Sequence, residues 1–320
     1  GFKYFDEGGL VIHSSYNDDG VSSGYLAFSA AFHSRQHKHA DDFNFQLFHD
    51  GQGIFTDAGT FTYQYDLEER MFIESTRAHN TVEINGKNYS RYLKDAFGSA
   101  INFAVEVGNC IVIDSEISRK RLVPADIPNN KIKMDVAIDV DIVQRRMLVY
   151  HPDRFLLIFD HLKSDENHDY TQWLHLYPNQ HIREEKGKIL ISKGHKKRIT
   201  AIIHPILPEQ AKYSMFYGNN KPRLQGWISE NGHALKETNS IGIGARGKDV
   251  VIATLIDFSI HGTKKPHLNI GTSGKYIRFV ITQSEGKVEF IYRKKSDGII
   301  LKYIENDDES EVVVNLEEND

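Results

Sequence analysis

Cysteine is nearly absent from this chain, which contains one such residue, Cys110, among 320. A single thiol excludes an intrachain disulfide, and its position in the apolar run 110–114 predicts a buried side chain. No apolar stretch approaches the roughly 18 residues that a membrane helix needs. With 40% hydrophobic and 26% charged residues, the composition is that of a globular protein long enough for a large core.

Sustained helical periodicity is also missing, and at most a turn or two of helix is expected, within residues 66–73. Short runs rich in β-branched and aromatic residues occur instead, separated by turn dipeptides such as Asn85-Gly86. These runs are 25–28, 145–150, 155–160, 170–176, 198–203, 250–254, 276–280 and 288–292. The pattern predicts an all-β fold, a large antiparallel β-sandwich that spans residues 1–320 as one domain.

Acidic residues are concentrated at one end, because residues 305–320 contain eight acidic and no basic side chains. We interpret this segment as an acidic tail. The whole chain has a formal charge of −5, so residues 1–304 carry +3. Basic clusters such as 119–121 and 293–295 suit an acidic polysaccharide, although each is also explained by a solvated edge or turn. Nucleic acid is not an expected partner, since the net charge is negative and no binding motif is present.

A histidine pair, His37 and His39, begins the most informative stretch of the chain. Side chains two residues apart in a strand point to the same face, so an extended chain aims both imidazoles in one direction. A tight turn at Asp50-Gly51 is expected to reverse the chain. The return strand then brings Asp57 back towards His39.

A third ligand is expected from residues 75–81, where His79 follows Asp57 by 22 positions. Two imidazoles and a carboxylate suit zinc, and suit iron or manganese less well. The alternative is a set of hydrogen-bonded histidines on a half-buried sheet. A cupin-like metal enzyme is disfavoured, because it places a carboxylate about four residues beyond the second histidine, and Asp41 and Asp42 lie too close to His39.

Three motifs lie within residues 37–86: HxHADxxxF from His37, DxGTxxY from Asp57, and STxAHNTVxxxG from Ser75. Together they resemble the signature of the heparinase II/III family of polysaccharide lyases. Looser similarity at 145–150, 155–160 and 225–229 extends the resemblance over most of the chain.

The resemblance implies the C-terminal, supersandwich-like β-sandwich of such a lyase. Family members usually combine this sandwich with an N-terminal (α/α) toroid that carries a catalytic tyrosine and an asparagine or histidine. We therefore expect a toroid N-terminal to this chain in the complete protein, and no activity from this chain alone. A bacterial, periplasmic or extracellular location is also expected.

By resemblance, His37 is the catalytic histidine that faces the uronate of the substrate, as carboxylate binder or as base. His39, Asp57 and His79 would hold Zn²⁺, or another divalent metal, beside it. The metal would then be structural and would order the loop at the cleft.

Three further residues are candidate substrate contacts. Tyr63 and Tyr65 follow the return strand and would project into the cleft, although packing at a sheet edge is the alternative. Arg77 would place its guanidinium on a substrate carboxylate, or would instead pair with Asp66 or Glu74.

The function implied is β-elimination in a uronate-containing acidic polysaccharide. The glycan stays open among heparin-like glycosaminoglycans, alginate-like polymers and bacterial capsule polymers. The rival hypothesis is a non-catalytic carbohydrate-binding or scaffold module, because a sandwich with a structural metal can exist only to present a surface.

Overall fold

The computed structural model describes residues 1–20, 22–33, 37–64, 66–89, 98–119, 141–194, 198–259, 267–273, 275–283, 286–296 and 298–315. Most of these residues lie in β-strands, which confirms the predicted all-β class. Two short helical segments occur, α1 at Glu68–Ile73 and a 3₁₀ helix at Thr76–Ala78. No helix in these ranges is long and apolar enough to cross a membrane.

The strands of the N-terminal part are β1 Phe2–Phe5, β2 Leu10–Tyr16, β3 Ser22–Ser29, β4 Ala31–Phe32, β5 Asn44–His49, β6 Gln52–Phe55, β7 Gly59–Phe61, β8 Val82–Ile84, β9 Gly98–Ser99, β10 Ile101–Val107 and β11 Cys110–Arg119. The strands of the central part are β12 Ile142–His151, β13 Phe155–His175, β14 Gln180–Glu185, β15 Lys188–Lys193, β16 Arg198–Leu207, β17 Lys212–Tyr217, β18 Trp227–Gly232, β19 Lys236–Glu237 and β20 Asn239–Asp257. The last strands are β21 His267–Ser273, β22 Tyr276–Gln283, β23 Gly286–Lys294, β24 Gly298–Glu305 and β25 Asp308–Asn315.

Three sheets form the body of the fold. The largest has the order β10-β11-β12-β13-β20-β16-β15-β14, with β8 added to β13 and β17 added to β20. One five-stranded sheet has the order β1-β2-β3-β5-β6, and the other is the meander β21 to β25. A small sheet, β19-β18-β7, and the pair β4-β9 complete the architecture.

The central sheet is covered on both faces, so the sandwich has three layers. Alternate residues of β13 show this directly: Leu156 and Ile158 belong to the core shared with the N-terminal sheet, whereas Leu157 and Phe159 belong to the core shared with the meander. A strand buried on both faces has to be apolar at every position. This explains the uninterrupted apolar run FLLIF in the sequence.

The predicted turn at Asp50-Gly51 is confirmed, because β5 and β6 pair as a hairpin with His49 opposite Gln52. Asp50 and Gly51 have positive φ angles of 50° and 66°, as the two central residues of a type I′ turn require. The site described below lies at the opposite end of this hairpin, where the chain enters β5 and leaves β6.

The acidic segment predicted as a tail lies, as far as residue 315, within strands β24 and β25. In β25, Val312 and Val314 pack against the core of the meander while Glu311 is exposed. Val313, between these two valines, is exposed. β25 is an edge strand, because it pairs only with β24 in this sheet, and edge strands are commonly protected by charge. Residues 316–320 lie outside the described ranges.

Candidate metal centre and substrate pocket

His37 and His39 lie in a loop that precedes β5, and the extended strand predicted through them is wrong. The strand begins only at Asn44. His37 and Phe43 have φ angles of 61° and 66°, a left-handed conformation that residues other than glycine seldom adopt. Both histidines nevertheless border the same pocket. The conformation of the loop, and not the alternation of a strand, brings them to it.

Ion pairs curl this loop, which we call the histidine loop (residues 37–43). The ammonium of Lys38 contacts both Asp41 and Asp42, at 2.8 Å from Oδ1 of Asp42. Arg119 reaches Oδ2 of Asp42 at 3.2 Å and lies 3.5 Å from the ring centroid of Tyr89. Arg119, which the sequence groups with a basic surface cluster, is therefore buried and paired.

A second buried arginine, Arg146, ties the histidine loop to the segment that carries His79. Its guanidinium donates to the carbonyl of Phe43 at 2.7 Å and to the carbonyl of Asn80. The remaining donors form a two-point ion pair with Asp160. Hydrogen bonds from a charged group are stronger than neutral ones, so this arginine holds the two segments at a fixed separation.

The imidazoles of His39 and His79 face each other. Nδ1 of His39 lies 3.4 Å from Nε2 of His79, and Nδ1 of His79 lies 2.8 Å from the carbonyl oxygen of Ser75. A carbonyl only accepts, so Nδ1 of His79 carries a proton and Nε2 is the nitrogen that can bind a metal. Burial, together with the neighbouring His79, lowers the pKa of His39 to about 4. A neutral His39 can therefore offer a nitrogen lone pair to a metal.

Two carboxylates stand beside this histidine pair. One oxygen of Asp41 and one nitrogen each of His39 and His79 lie within 4.8 Å of one another. Oδ2 of Asp57 lies 3.6 Å from Nε2 of His79. Among the described residues, the side chains close enough to share one metal ion are thus His39, Asp41 and His79. The predicted ligand Asp57 lies beside His79 but outside this group, and Asp41 was considered in the sequence only as a cupin-type ligand.

Two distances around Nε2 of His79 suit neighbouring ligands of a tetrahedral divalent metal. Bonds of 2.0–2.1 Å place neighbouring ligand atoms roughly 3.3 Å apart, close to the 3.4 Å and 3.6 Å measured around Nε2 of His79. Asp57 is oriented by hydrogen bonds from Nδ2 of Asn44 to Oδ2 and from the amide of Gly59 to Oδ1, both 2.7 Å. Such outer contacts are typical of metal ligands.

Asp41 is held differently from Asp57. Burial by itself raises the pKa of the Asp41 carboxyl, but Lys38 together with the neighbouring His79 and His39 lowers it. Asp41 is therefore an anion that already has a cationic partner.

Asn80 connects the site to the hairpin and to the central sheet. Its amide nitrogen donates to the carbonyls of Phe45 and Thr56, and its amide oxygen accepts from the backbone of His175. Every one of these contacts is buried. The asparagine of the AHN motif therefore has a positioning role, and the carbonyl of Ser75, not Asn80, sets the tautomer of His79.

A pocket of about 260 Å³ opens next to the histidine pair. Tyr63 stands at its mouth with 71% of its surface exposed, and its ring centroid lies 6.0 Å from that of His37 in an edge-on arrangement. Arg70 lies 5.4 Å from the same tyrosine ring and pairs with Glu74 at 2.6 Å. The lining residues are His37, His39, Thr60, Phe61, Thr62, Tyr63, Arg70, Glu74, Asn231, Gly232 and His233.

Arg77 and Tyr65 are the other two predicted substrate contacts. The guanidinium of Arg77 lies 5.4 Å from the ring centroid of Phe72, and within the described residues Arg77 does not line the pocket. Burial, followed by the neighbouring charge of Arg223, lowers the pKa of Arg77 to about 10. Glu74, an alternative partner for Arg77, pairs with Arg70. Tyr65 lies outside the described residues.

Sequence reasoning missed Arg70, Asn231 and His233. Arg70 belongs to α1, a helix too short for periodicity to reveal its buried face. Asn231 and His233 lie more than 140 positions beyond the last motif, which ends at Gly86, and no local pattern signals their proximity.

Comparison with known proteins agrees with this architecture. The profile of the family described as "Heparinase II/III-like, C-terminal" matches residues 1–247. This chain belongs to that family. The meander from β21 to β25 lies beyond the matched part of this heparinase II/III-like sandwich.

Solved structures of heparinases share the fold. The heparan sulfate lyase HepC from Pedobacter heparinus aligns with 100% of this chain and 43% of its own, at a TM-score of 0.64 and 14% identity. A structure of heparinase III aligns with 99% of this chain and 43% of its own, at a TM-score of 0.65 and 15% identity. This heparinase II/III-like chain thus spans less than half the length of these proteins. No curated protein sequence matches it significantly.

Proposed function

We propose that this chain is the sandwich part of a polysaccharide lyase that cleaves uronate-containing acidic polysaccharide by β-elimination. One observation carries the proposal: the pocket that joins His37 and Tyr63 opens directly beside the facing imidazoles of His39 and His79. Membership of the heparinase II/III-like family supports the same reaction class.

The reaction has three requirements: removal of the weakly acidic C5 proton, stabilisation of the charge that develops on the uronate carboxylate, and protonation of the departing oxygen. His37 reaches the pocket from a loop fixed by buried ion pairs. In our proposal its imidazole meets the carboxylate or takes the proton, and Tyr63 contacts a sugar at the mouth. A helical toroid N-terminal to the sandwich would supply the remaining groups.

The proposed metal is Zn²⁺, bound by His39, Asp57 and His79, with another divalent ion as the alternative. When bound, it would fix the two imidazoles and thereby order the histidine loop beside the pocket. The carboxylate of Asp41 would either remain with Lys38 or complete the coordination. The role is structural, since no step of the elimination needs the metal.

The substrate is an acidic glycan, either a sulfated glycosaminoglycan or an alginate-like or capsule polymer. The proposed location is the periplasm or the exterior of a bacterial cell, where such polymers occur.

The test is an elimination assay on the longer protein that contains this chain together with its toroid. The protein is incubated separately with heparan sulfate, with alginate and with a nonsulfated glycosaminoglycan. The ultraviolet absorbance of the unsaturated uronate end is followed. Absorbance that rises with one of these substrates supports the lyase. Tight glycan binding without any absorbance change would overturn it in favour of a binding module.

A further inference from the structure

Besides His37, a second histidine, His233, borders the pocket, and it comes from a segment far from all three motifs. It lines the same space as His37 and Tyr63 and is exposed. Among the described residues, its imidazole makes no hydrogen bond or ion pair. It is therefore available to a ligand that enters the pocket.

Parallel pairing of β7 with β18 brings His233 to this position. The amide of Ser229 donates to the carbonyl of Ala58 at 2.9 Å, and the amide of Thr62 donates to the carbonyl of Gly232 at 2.8 Å. The approach is so close that a Cβ on Gly59 would lie 2.0 Å from the carbonyl oxygen of Ser229. Only glycine permits this contact. Gly59 of the DxGTxxY motif therefore allows β18 and the residues after it to form one wall of the pocket.

A turn then presents the side chain of His233. Oδ1 of Asn231 accepts hydrogen bonds from the backbone amides of His233 at 3.0 Å and Ala234 at 3.2 Å. An asparagine that caps following amides in this way fixes a tight turn. The Oδ1 atom of Asn231 is thereby committed to the backbone, and this turn places His233 at the border of the pocket.

The charges of the pocket favour an acidic ligand beside the histidines. Arg70 and Glu74 pair with each other at 2.6 Å, so their charges offset one another. The donors that line the pocket include the imidazoles of His37 and His233. An imidazole donates to a carboxylate or sulfate in its neutral form and more strongly when protonated.

We propose that His233 is a substrate-binding residue that donates a hydrogen bond to an acidic group of the polysaccharide held next to His37. The inference rests on the proposed function and names a residue that recognises its substrate. The acidic group is either the uronate carboxylate or a sulfate ester, which share the same acceptor chemistry.

The experiment uses steady-state kinetics of the longer protein with three variants: His233→Ala, His233→Gln and, as a matched control, His181→Ala, which changes an exposed histidine of β14. A lost hydrogen bond to a charged group predicts a KM about tenfold higher for His233→Ala, with kcat nearly unchanged. His233→Gln keeps a donor and should recover most of the affinity. His181→Ala should match the wild type, and the melting temperatures of all variants should agree.

Two failures can be distinguished. If the wild-type protein is active and His233→Ala keeps the wild-type KM, the role of His233 is overturned while the lyase function stands. If the wild-type protein has no elimination activity on any uronate polymer, the proposed function fails and this inference fails with it.

A matched pair of sulfated and desulfated substrates identifies the acidic group. An effect of His233→Ala that persists on the desulfated polymer assigns the contact to the carboxylate. An effect confined to the sulfated polymer assigns it to sulfate. Either result supports the binding role.

Discussion

Arg146 and Asp160 form a fully buried two-point ion pair, with Nε 2.7 Å from Oδ1 and Nη2 2.6 Å from Oδ2. Neither side chain is exposed to solvent. The pair lies beneath the candidate metal centre, because Arg146 also donates to the carbonyls of Phe43 and Asn80. Side chains of the central sheet thus determine how close the two histidine-bearing segments come.

Removal of one partner from this pair should be strongly destabilising. Arg146→Met leaves the carboxylate of Asp160 buried without a cation, which costs roughly 3–5 kcal/mol in comparable pairs. Urea unfolding, followed by fluorescence or circular dichroism, measures the loss. The matched control is Arg246→Ala, which breaks the exposed pair with Asp169 at 2.6 Å and should cost no more than about 1 kcal/mol. Equal losses for the two variants would contradict the prediction.

The metal site predicts about one equivalent of zinc per purified chain. His39→Ala and His79→Ala should each lose most of the metal, because each removes a ligand. The melting temperature should fall with it, since a ligand that binds only the folded state stabilises that state. Elemental analysis and thermal unfolding with and without a chelator measure both quantities. Unchanged metal content in both variants would show that the ligands lie elsewhere.

Measurements of zinc affinity distinguish the contributions of Asp57 and Asp41 to the metal site. We expect Asp57→Asn to lower zinc affinity about tenfold or more, whereas Asp41→Asn should have the smaller effect because Lys38 already neutralises that carboxylate. The reverse order would identify Asp41 as the ligand.

His37 should have a different function from its neighbour two positions along the histidine loop. In the longer protein, His37→Ala should retain its zinc and its melting temperature but lose elimination activity by a factor of about 10² or more. The assay is again the absorbance of the unsaturated uronate end. Loss of zinc from this variant would make His37 a ligand, and retained turnover would remove it from the catalytic residues.

Acid should weaken the contact between the meander and the central sheet through Glu305. Burial by itself raises the pKa of this carboxyl, but hydrogen bonds from Asn109, Tyr303 and Arg154 outweigh burial and lower it from 4.5 to about 2. A pKa lowered by folding stabilises the folded state above the unfolded value, and this contribution is lost as the pH falls from about 4.5 towards 2.

The measurement compares the wild type with Glu305→Gln in urea unfolding at neutral pH and at a pH below 4.5. The free energies of unfolding should differ most at neutral pH and should converge as the wild-type carboxyl is protonated. A difference that is independent of pH would mean that the ionised form of Glu305 makes no special contribution.

The sequence predicted well wherever local chemistry decides the conformation. The turn at Asp50-Gly51 needs two positive φ angles, and these residue types tolerate them, so the β5-β6 hairpin could be located in advance. The strand β25 within the acidic end could not be located in advance. Its valines form a strand only because β24 is present to pair with it.

The histidine loop shows where prediction from local pattern fails. Alternation favours an extended chain at residues 37–43, but Arg119 and Arg146 bind this segment from 77 and 103 positions away. Their buried charges have to be satisfied, and a curled loop satisfies them with Asp42 and the carbonyl of Phe43. That requirement outweighs the modest preference of a few residues for a strand.

By itself, the sequence determined the all-β class, the hairpin, and the residue types of a metal centre, because alternation, turn dipeptides and motif spacing are local properties of the chain. Only the tertiary structure decided that the sandwich has three layers, that Asp41 joins the histidine pair, and that His233 lines the pocket with His37. The physical reason is that these relationships depend on strand pairing and buried charge between segments far apart in the chain, such as the parallel contact of β7 with β18.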